Sequence, residues 1–235
     1  MSNPYFRFKQ FAIRQDRCAM KVGTDGVLLG AWAQADAPRR IMDIGTGTGL
    51  VALMLAQRYA DAQVTAMEID SPAARQAAEN VAQSPWNDRV EVVCGDFRNY
   101  SIDGCFDLLV SNPPYFVDAL ACPDRQRHIA RHADTLSYES LFRRAVKLLA
   151  ADGRVAVIIP ADARATADGI AIAQGLHPAQ CMQVVTKPGK AVRRVLLSYS
   201  MQPAVCTEAT LCIESAEGGF SKEYIALTGD FYLNF

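Results

Sequence analysis

The 235-residue sequence lacks the marks of a membrane span, a secretory leader and a metal centre. No uninterrupted apolar run approaches the ~20 residues that a spanning helix needs. Met1-Ser2-Asn3-Pro4 does not open a charged-then-apolar leader. Histidine occurs three times. The seven cysteines, at 18, 94, 105, 122, 181, 206 and 212, are odd in number and never spaced as CxxC. Those absences argue against a zinc site and a disulfide framework, and they predict reduced thiols in a cytoplasmic protein. An excess of one charge is missing too: 24 Lys and Arg face 25 Asp and Glu, a net charge of −1. A uniformly basic nucleic-acid binder is therefore excluded, and only local basic clusters remain for such a role. Internal repeats and low-complexity segments are also absent, and no second domain is evident.

Half of the residues are hydrophobic, enough for one domain with a large core. From Arg40 to Pro160 apolar strand-like runs alternate with helix-like ones, which predicts a parallel sheet covered on both faces. Helices are expected over 27–33, from Leu50, from a cap at Ser71 with Pro72 at the first position to about Ala82, and from Ser137 to a stop at Asp152-Gly153. Another is expected over 162–174, and a short one starts at Ser221. Val155–Ile159, Cys181–Thr186, Arg193–Ser200 and Thr210–Glu214 read as strands. Residues 1–38 form an N-terminal extension before a core of 39–235, so that 1–235 is one domain. The aromatics Tyr5, Phe6, Phe8 and Phe11, interleaved with basic residues, read either as an arm packed on the core or as a stacking surface for RNA.

Two stretches carry the chemistry. In Asp43-Ile44-Gly45-Thr46-Gly47-Thr48-Gly49-Leu50, three alternate glycines join a strand to a helix. Glycine permits positive φ and close approach of a ligand to the backbone, and a helix N-terminus offers unpaired N–H groups. The spacing is GxGxG and not the dinucleotide GxGxxG; taken alone it also serves as a tight turn with no ligand. Val64–Ile69 reads as the next strand, with Glu68 near its C-terminal end, where an acid can accept both ribose hydroxyls of an adenosine. Asp96, ending the third, can take the adenine amino group with Phe97 against the ring.

The second stretch is Asn112-Pro113-Pro114-Tyr115. Two prolines remove backbone donors, which leaves the Asn112 side-chain oxygen and the Pro113 carbonyl as paired acceptors. They can grip the hydrogens of one planar NH₂ group while Tyr115 stacks on the flat substrate. Together the stretches suggest methyl transfer from S-adenosyl-L-methionine (AdoMet) to an exocyclic or amide nitrogen, by positioning and hydrogen bonding.

These motifs resemble the class I AdoMet-dependent amino-methyltransferases. Phe8–Phe11, Asp16–Trp32, Leu53–Arg58, Gln83–Trp86, Ala226–Thr228 and Phe231–Leu233 are similar, more closely, to the bacterial family that makes N6-methyladenine at position 37 of valine tRNA. The resemblance implies a Rossmann-like α/β fold, with a seven-stranded, mostly parallel sheet, helices on both faces and an antiparallel C-terminal strand pair. It implies AdoMet as cofactor and valine tRNA as substrate, with no metal, membrane or obligate protein partner. The catalytic residues would be Asn112, Pro113, Pro114 and Tyr115. The cofactor contacts would be Lys21, Thr24, Asp25, Asp43, Gly45, Gly47, Glu68, Asp96, Phe97 and Asn112. Thr24 and Asp25 also read as a helix cap. Two basic clusters are candidates for tRNA phosphates: Arg125, Arg127 and Arg131 after the tetrapeptide, and Lys187, Lys190, Arg193 and Arg194 on a hairpin loop. Two other readings stay open: N5-methylation of a protein glutamine, whose carboxamide is also a planar NH₂, and a noncatalytic AdoMet-binding module.

Overall fold

The computed structural model describes residues 4–18, 21–113 and 136–234. The chain opens with a hairpin in which β1 (Tyr5–Arg7) and β2 (Ala12–Arg14) pair antiparallel, Phe6 opposite Ile13. Phe8, Phe11 and Ile13 are buried. The Phe8 and Phe11 rings stack 4.7 Å apart, and Phe11 meets the edge of Trp86 at 5.6 Å. Phe8 and Phe11 are therefore core and Phe6 packs against it, while Tyr5 stays exposed; of the two readings of this segment the packed arm is the observed one.

Helix α1 (Thr24–Trp32) is buried from Gly26 onward. It starts three residues before the expected Val27, with Gly23 as its N-cap and no side-chain capping bond. Thr24 and Asp25 are thus first-turn residues and not caps. Its closest neighbour is α2 (Leu50–Arg58): a Cβ on Gly30 would stand 2.7 Å from the Met54 sulfur, so the crossing requires glycine.

The strands β3 (Arg40–Ile44), β4 (Gln63–Glu68), β5 (Val90–Cys94), β6 (Phe106–Ser111), β7 (Leu149–Pro160), β8 (His177–Val185), β9 (Arg194–Ser200) and β10 (Thr207–Cys212) form one sheet. Their order is β10-β8-β9-β7-β6-β3-β4-β5. Pairing is parallel except at β9, which runs antiparallel to both β7 and β8. The sheet has eight strands and not seven, because β10 adds itself in parallel beyond β8. Alternation along β7 shows both faces covered. Ala156 and Ile158 join the core under α1 and α2, while Val155, Val157 and Ile159 join the core under α4 (Tyr138–Leu148) and α5 (Arg164–Ala173). A single turn of 3-10 helix, Ala161–Ala163, leads into α5. The last helix, α6 (Lys222–Thr228), is capped by Ser221, whose hydroxyl accepts the Tyr224 N–H.

Two boundaries differ from expectation. Helix α3 (Ser71–Ala82) is capped by the Asp70 carboxylate, which accepts the Ala73 N–H, and not by Ser71. Asp152-Gly153 does not end a helix. The chain leaves α4 straight into β7 at Leu149, and residues 150–153 fill an irregularity between the pairs Phe106↔Leu149 and Leu108↔Arg154. The Asp-Gly signal marked a bulge, which long-range pairing decides. Among the described residues, no helix is long and apolar enough to cross a membrane.

Candidate active site

Because the strands are parallel, β3, β4, β5 and β6 all end on one edge of the sheet, and the site is built from the residues just beyond their ends. After β3 the glycine turn folds back under its own hydrogen bonds. The Gly45 and Thr46 N–H groups both donate to the Met67 carbonyl at 2.9 Å, and Gly49 N–H donates to Thr46 at 3.0 Å. Gly45 has φ +73°, and a Cβ built there meets nothing within 4 Å. Glycine is needed at that point for backbone conformation, and the space above it is open. Gly49, at φ +83°, instead lies against Ala77 of α3.

Beneath the turn, Asp43 is 2% exposed. One of its oxygens accepts from the Thr46 hydroxyl at 2.5 Å and from the Ala52 N–H at 3.1 Å. Burial pushes its carboxyl up to about 7, against the lowering effect of those two hydrogen bonds and with a smaller push from Glu68. The folded protein therefore holds this proton above the pH at which the unfolded chain, near 3.8, has released it. Stability contributed at this position falls as pH rises from about 4 to about 7 and is level beyond. Asp43→Asn removes the titration. Its stability relative to wild type is expected to rise through that window, to on the order of 3 kcal/mol by pH 8. Denaturant midpoints of both proteins between pH 4 and pH 8 check this; a gap that does not change with pH would refute it.

Glu68 ends β4 with both oxygens engaged. One accepts the Gly47 N–H at 2.8 Å and the other the Asp70 N–H at 2.9 Å. The carboxylate thereby fixes the glycine turn and the approach to α3, and each oxygen keeps a lone pair to offer. Asp96, after β5, is gripped by its neighbour: the Arg98 guanidinium donates to both oxygens at 2.7–2.9 Å, and the Arg98 backbone N–H adds a bond at 2.9 Å. Hydrogen bonding from that guanidinium holds the Asp96 carboxyl below its usual range. At the end of β6, the Ser111 hydroxyl donates to the Ile44 carbonyl at 2.9 Å and ties this strand end to the glycine turn. Asn112 and Pro113 come next.

Two cavities meet over the turn. One, of about 260 Å³, is lined by Gly45, Gly47, Glu68, Asp96, Phe97, Asn112 and Pro113. The other, of about 330 Å³, is lined by Lys21, Thr24, Asp25, Asp43, Gly45, Gly47 and Asn112. Gly45, Gly47 and Asn112 belong to both. Every residue expected to hold the cofactor thus lines one groove, with Asn112 at its middle. Pro114, Tyr115, Arg125, Arg127 and Arg131 lie outside the described residues.

Sequence reasoning missed several lining residues. Ile69 is 54% exposed yet lines the first cavity beside Glu68; in the sequence it reads as one more apolar residue of the strand run from Val64, and only the structure leaves it in the open. Cys18, Ser111 and Leu136 also line that cavity, and nothing local marks them. The hairpin-loop cluster is divided. Arg194 donates to the Asp25 carboxylate at 2.8 Å, and Lys187 pairs with Glu214 at 2.9 Å. Lys190 and Arg193 are exposed. The loop lies on the groove's edge of the sheet, since Arg194 pairs with Pro160 at the end of β7.

Residues 20–168 match the family model described as the methyltransferase small domain. A Bacteroides fragilis protein named tRNA1(Val) (adenine(37)-N6)-methyltransferase is 54% identical over 99% of this chain and 99% of its own length. A Tolumonas auensis protein of the same name is 44% identical over 99% of this chain and 98% of its own. Among solved structures, a predicted O-methyltransferase from Agrobacterium tumefaciens aligns with a TM-score of 0.66 at 22% identity, over 88% of this chain and 96% of that one. That last likeness establishes the class I methyltransferase fold. Identity of 44–54% across nearly the whole length of both chains shows the family: the chain belongs to the tRNA1(Val) (adenine(37)-N6)-methyltransferase family.

Proposed function

We propose that this protein transfers a methyl group from AdoMet to N6 of adenine 37 in the anticodon loop of a valine tRNA. The observation that carries the reading is the position of Asn112 where the two halves of the groove meet, with Pro113 beside it in the first cavity. The relatives' names supply the substrate.

The groove suits AdoMet on its own chemistry. Gly45 leaves a space that a Cβ would fill, Glu68 offers acceptor oxygens to a ribose, and Ile69 and Phe97 supply apolar surface for a base. Asp96 and its Arg98 partner take the adenine edge. Lys21, Thr24, Asp25 and Asp43 take the amino-acid end of the cofactor. When bound, the cofactor supplies an electrophilic methyl on a sulfonium sulfur.

The chain's own task is to present the nitrogen. An exocyclic amino group delocalises its lone pair into the ring and is a poor nucleophile. The Asn112 side-chain oxygen and the Pro113 carbonyl accept its two hydrogens, which favours a localised lone pair aimed across the groove. Neither acceptor is basic enough to keep a proton, so the proton released on methylation passes to water. Tyr115 stacks on the base. The base must leave the anticodon-loop stack to reach this point, at a cost of about a few kcal/mol. Lys190 and Arg193, together with Arg125, Arg127 and Arg131, hold backbone phosphates, and the whole chain acts as one domain.

Methyl transfer from labelled AdoMet to total tRNA that lacks the modification, run beside a release-factor protein, tests the function. N6-methyladenosine confined to a valine tRNA is expected; label in the protein alone would replace RNA with glutamine. Arg193 and Arg194 are separated by their contacts. Arg193→Glu is expected to weaken tRNA binding, to lower the salt slope by about 1, and to leave AdoMet affinity unchanged. Arg194→Glu also sets two negative charges against each other at Asp25 and is expected to weaken AdoMet binding as well. Titrations of both ligands at several salt concentrations check the pair; identical behaviour of the two variants would contradict the division.

A further inference from the structure

Helix α3 carries two buried carboxamides, Gln76 at 0% and Asn80 at 2% exposure. Four residues apart, they share one face of the helix. Leucine would fill such positions without a polar group to satisfy. Both side chains are instead spent on chain segments far away in sequence. The Asn80 oxygen accepts the Arg14 N–H at 2.9 Å, and its amide donates to the Arg14 carbonyl at 3.0 Å and to the Thr48 carbonyl at 2.9 Å. The Gln76 oxygen accepts the Arg17 N–H at 3.1 Å, and its amide donates to the Asp16 carboxylate at 2.8 Å. Residues 14–17 are in this way bound to α3 much as a strand is bound to its neighbour.

What this strap delivers is Cys18. That residue lines the cavity of Glu68 and Asp96, and its sulfur stands 3.7 Å from where a Cβ on Gly47 would lie. Thr48 belongs to the glycine turn that floors the groove. A single side chain, Asn80, therefore touches the wall and the floor together.

We propose that Asn80 and Gln76 are positioning residues for the cofactor groove: they fix residues 14–18 as its side wall, and Asn80 sets that wall against the glycine turn. The inference rests on the reading of the groove as the AdoMet site. Asn80→Ala is expected to raise KM for AdoMet about tenfold, as the loss of its three hydrogen bonds to wall and floor implies. KM for tRNA and kcat are expected to change less than about twofold, a split that general destabilisation does not produce. Gln76→Ala touches the strap and not the turn, so its KM for AdoMet should rise about threefold. It also decides the matter if the Asn80 variant does not fold. Hydrogen exchange on the same full-length proteins should show the Arg14 amide released in the first variant and the Arg17 amide in the second, with β3 and β6 amides still protected. Freed strap amides with an unchanged KM for AdoMet would overturn the proposal, as would equal rises in KM for both substrates. Absence of AdoMet binding by the wild-type protein would overturn the function itself, whereas normal wild-type kinetics with two unaffected variants would overturn the clamp alone.

Discussion

Alanine at Asn112 is expected to lower methyl transfer by about two to three orders of magnitude, the usual cost of one preorganised polar contact made in the transition state. AdoMet affinity should stay within a few-fold. The reasoning starts from the substrate. Nothing in the groove has to remove a proton before reaction, so rate depends on where the amino group is held and on what its hydrogens meet. Asn112 comes directly after β6, whose end is locked to β3 by the Ser111 hydroxyl on the Ile44 carbonyl. That lock places the residue at the junction of both cavities. Alanine keeps the backbone, and with it the Pro113 carbonyl, and removes one of two acceptors. Single-turnover rates with saturating AdoMet, beside equilibrium binding of AdoMet, separate the two effects. Turnover within tenfold of wild type would sink the catalytic role of Asn112.

Glu68→Ala should act on the other quantity, weakening AdoMet by about a hundredfold while a saturated enzyme still turns over. Hydrogen bonds to a charged group are worth ~1.5–3 kcal/mol each, and two ribose hydroxyls are at stake. The structure adds a second source of loss. The same carboxylate holds the Gly47 and Asp70 N–H groups, so its removal also loosens the glycine turn. Glu68→Gln distinguishes these contributions. Glutamine offers one carbonyl oxygen where the carboxylate offers two, so its NH₂ must face one of those N–H donors. The glutamine variant should therefore lose about tenfold or more and not behave as a neutral replacement. Binding isotherms for the three proteins read the series. An affinity unchanged in Glu68→Ala would remove the ribose assignment.

Much of this was legible in the chain because it is local. Strand-then-helix alternation from Arg40 to Pro160 arises from near-neighbour patterning of apolar residues, and all of those elements formed. The glycine turn was readable because Gly45 and Gly49 need positive φ whatever surrounds them. Glu68 and Asn112 were readable because each stands at the end of an apolar run, and parallel strands put such residues on one edge. The boundaries that moved did so for tertiary reasons. Asp152-Gly153 looks like a helix stop by composition, but pairing of β7 with β6 starts earlier, at Leu149, and absorbs it as a bulge. The eighth strand could not be foreseen as part of the sheet, since its partner, β8, lies some twenty-seven positions away along the register.

Partner choice by polar side chains was the least legible part. In the sequence Asp25 reads as a cofactor contact and Arg194 as an RNA contact. They are 169 residues apart and form an ion pair, because α1 lies across the start of β9. Asp96 reads as an adenine contact; that Arg98 already bonds both its oxygens is a choice of rotamer that sequence does not encode. Nothing local marks Gln76 and Asn80 in an Ala-rich helix, because the groups they satisfy, main-chain atoms and the Asp16 carboxylate, lie more than thirty residues away in sequence. By itself the sequence determined the fold class, the cofactor and the tetrapeptide proposed to grip the substrate, all of which rest on short patterns with steric or electronic causes. Tertiary structure alone decided which carboxylates are already engaged, which basic residues remain exposed, and what walls the groove. Those depend on which surfaces the packed sheet and helices bring together, and a hydrogen bond goes to whichever partner burial leaves within reach.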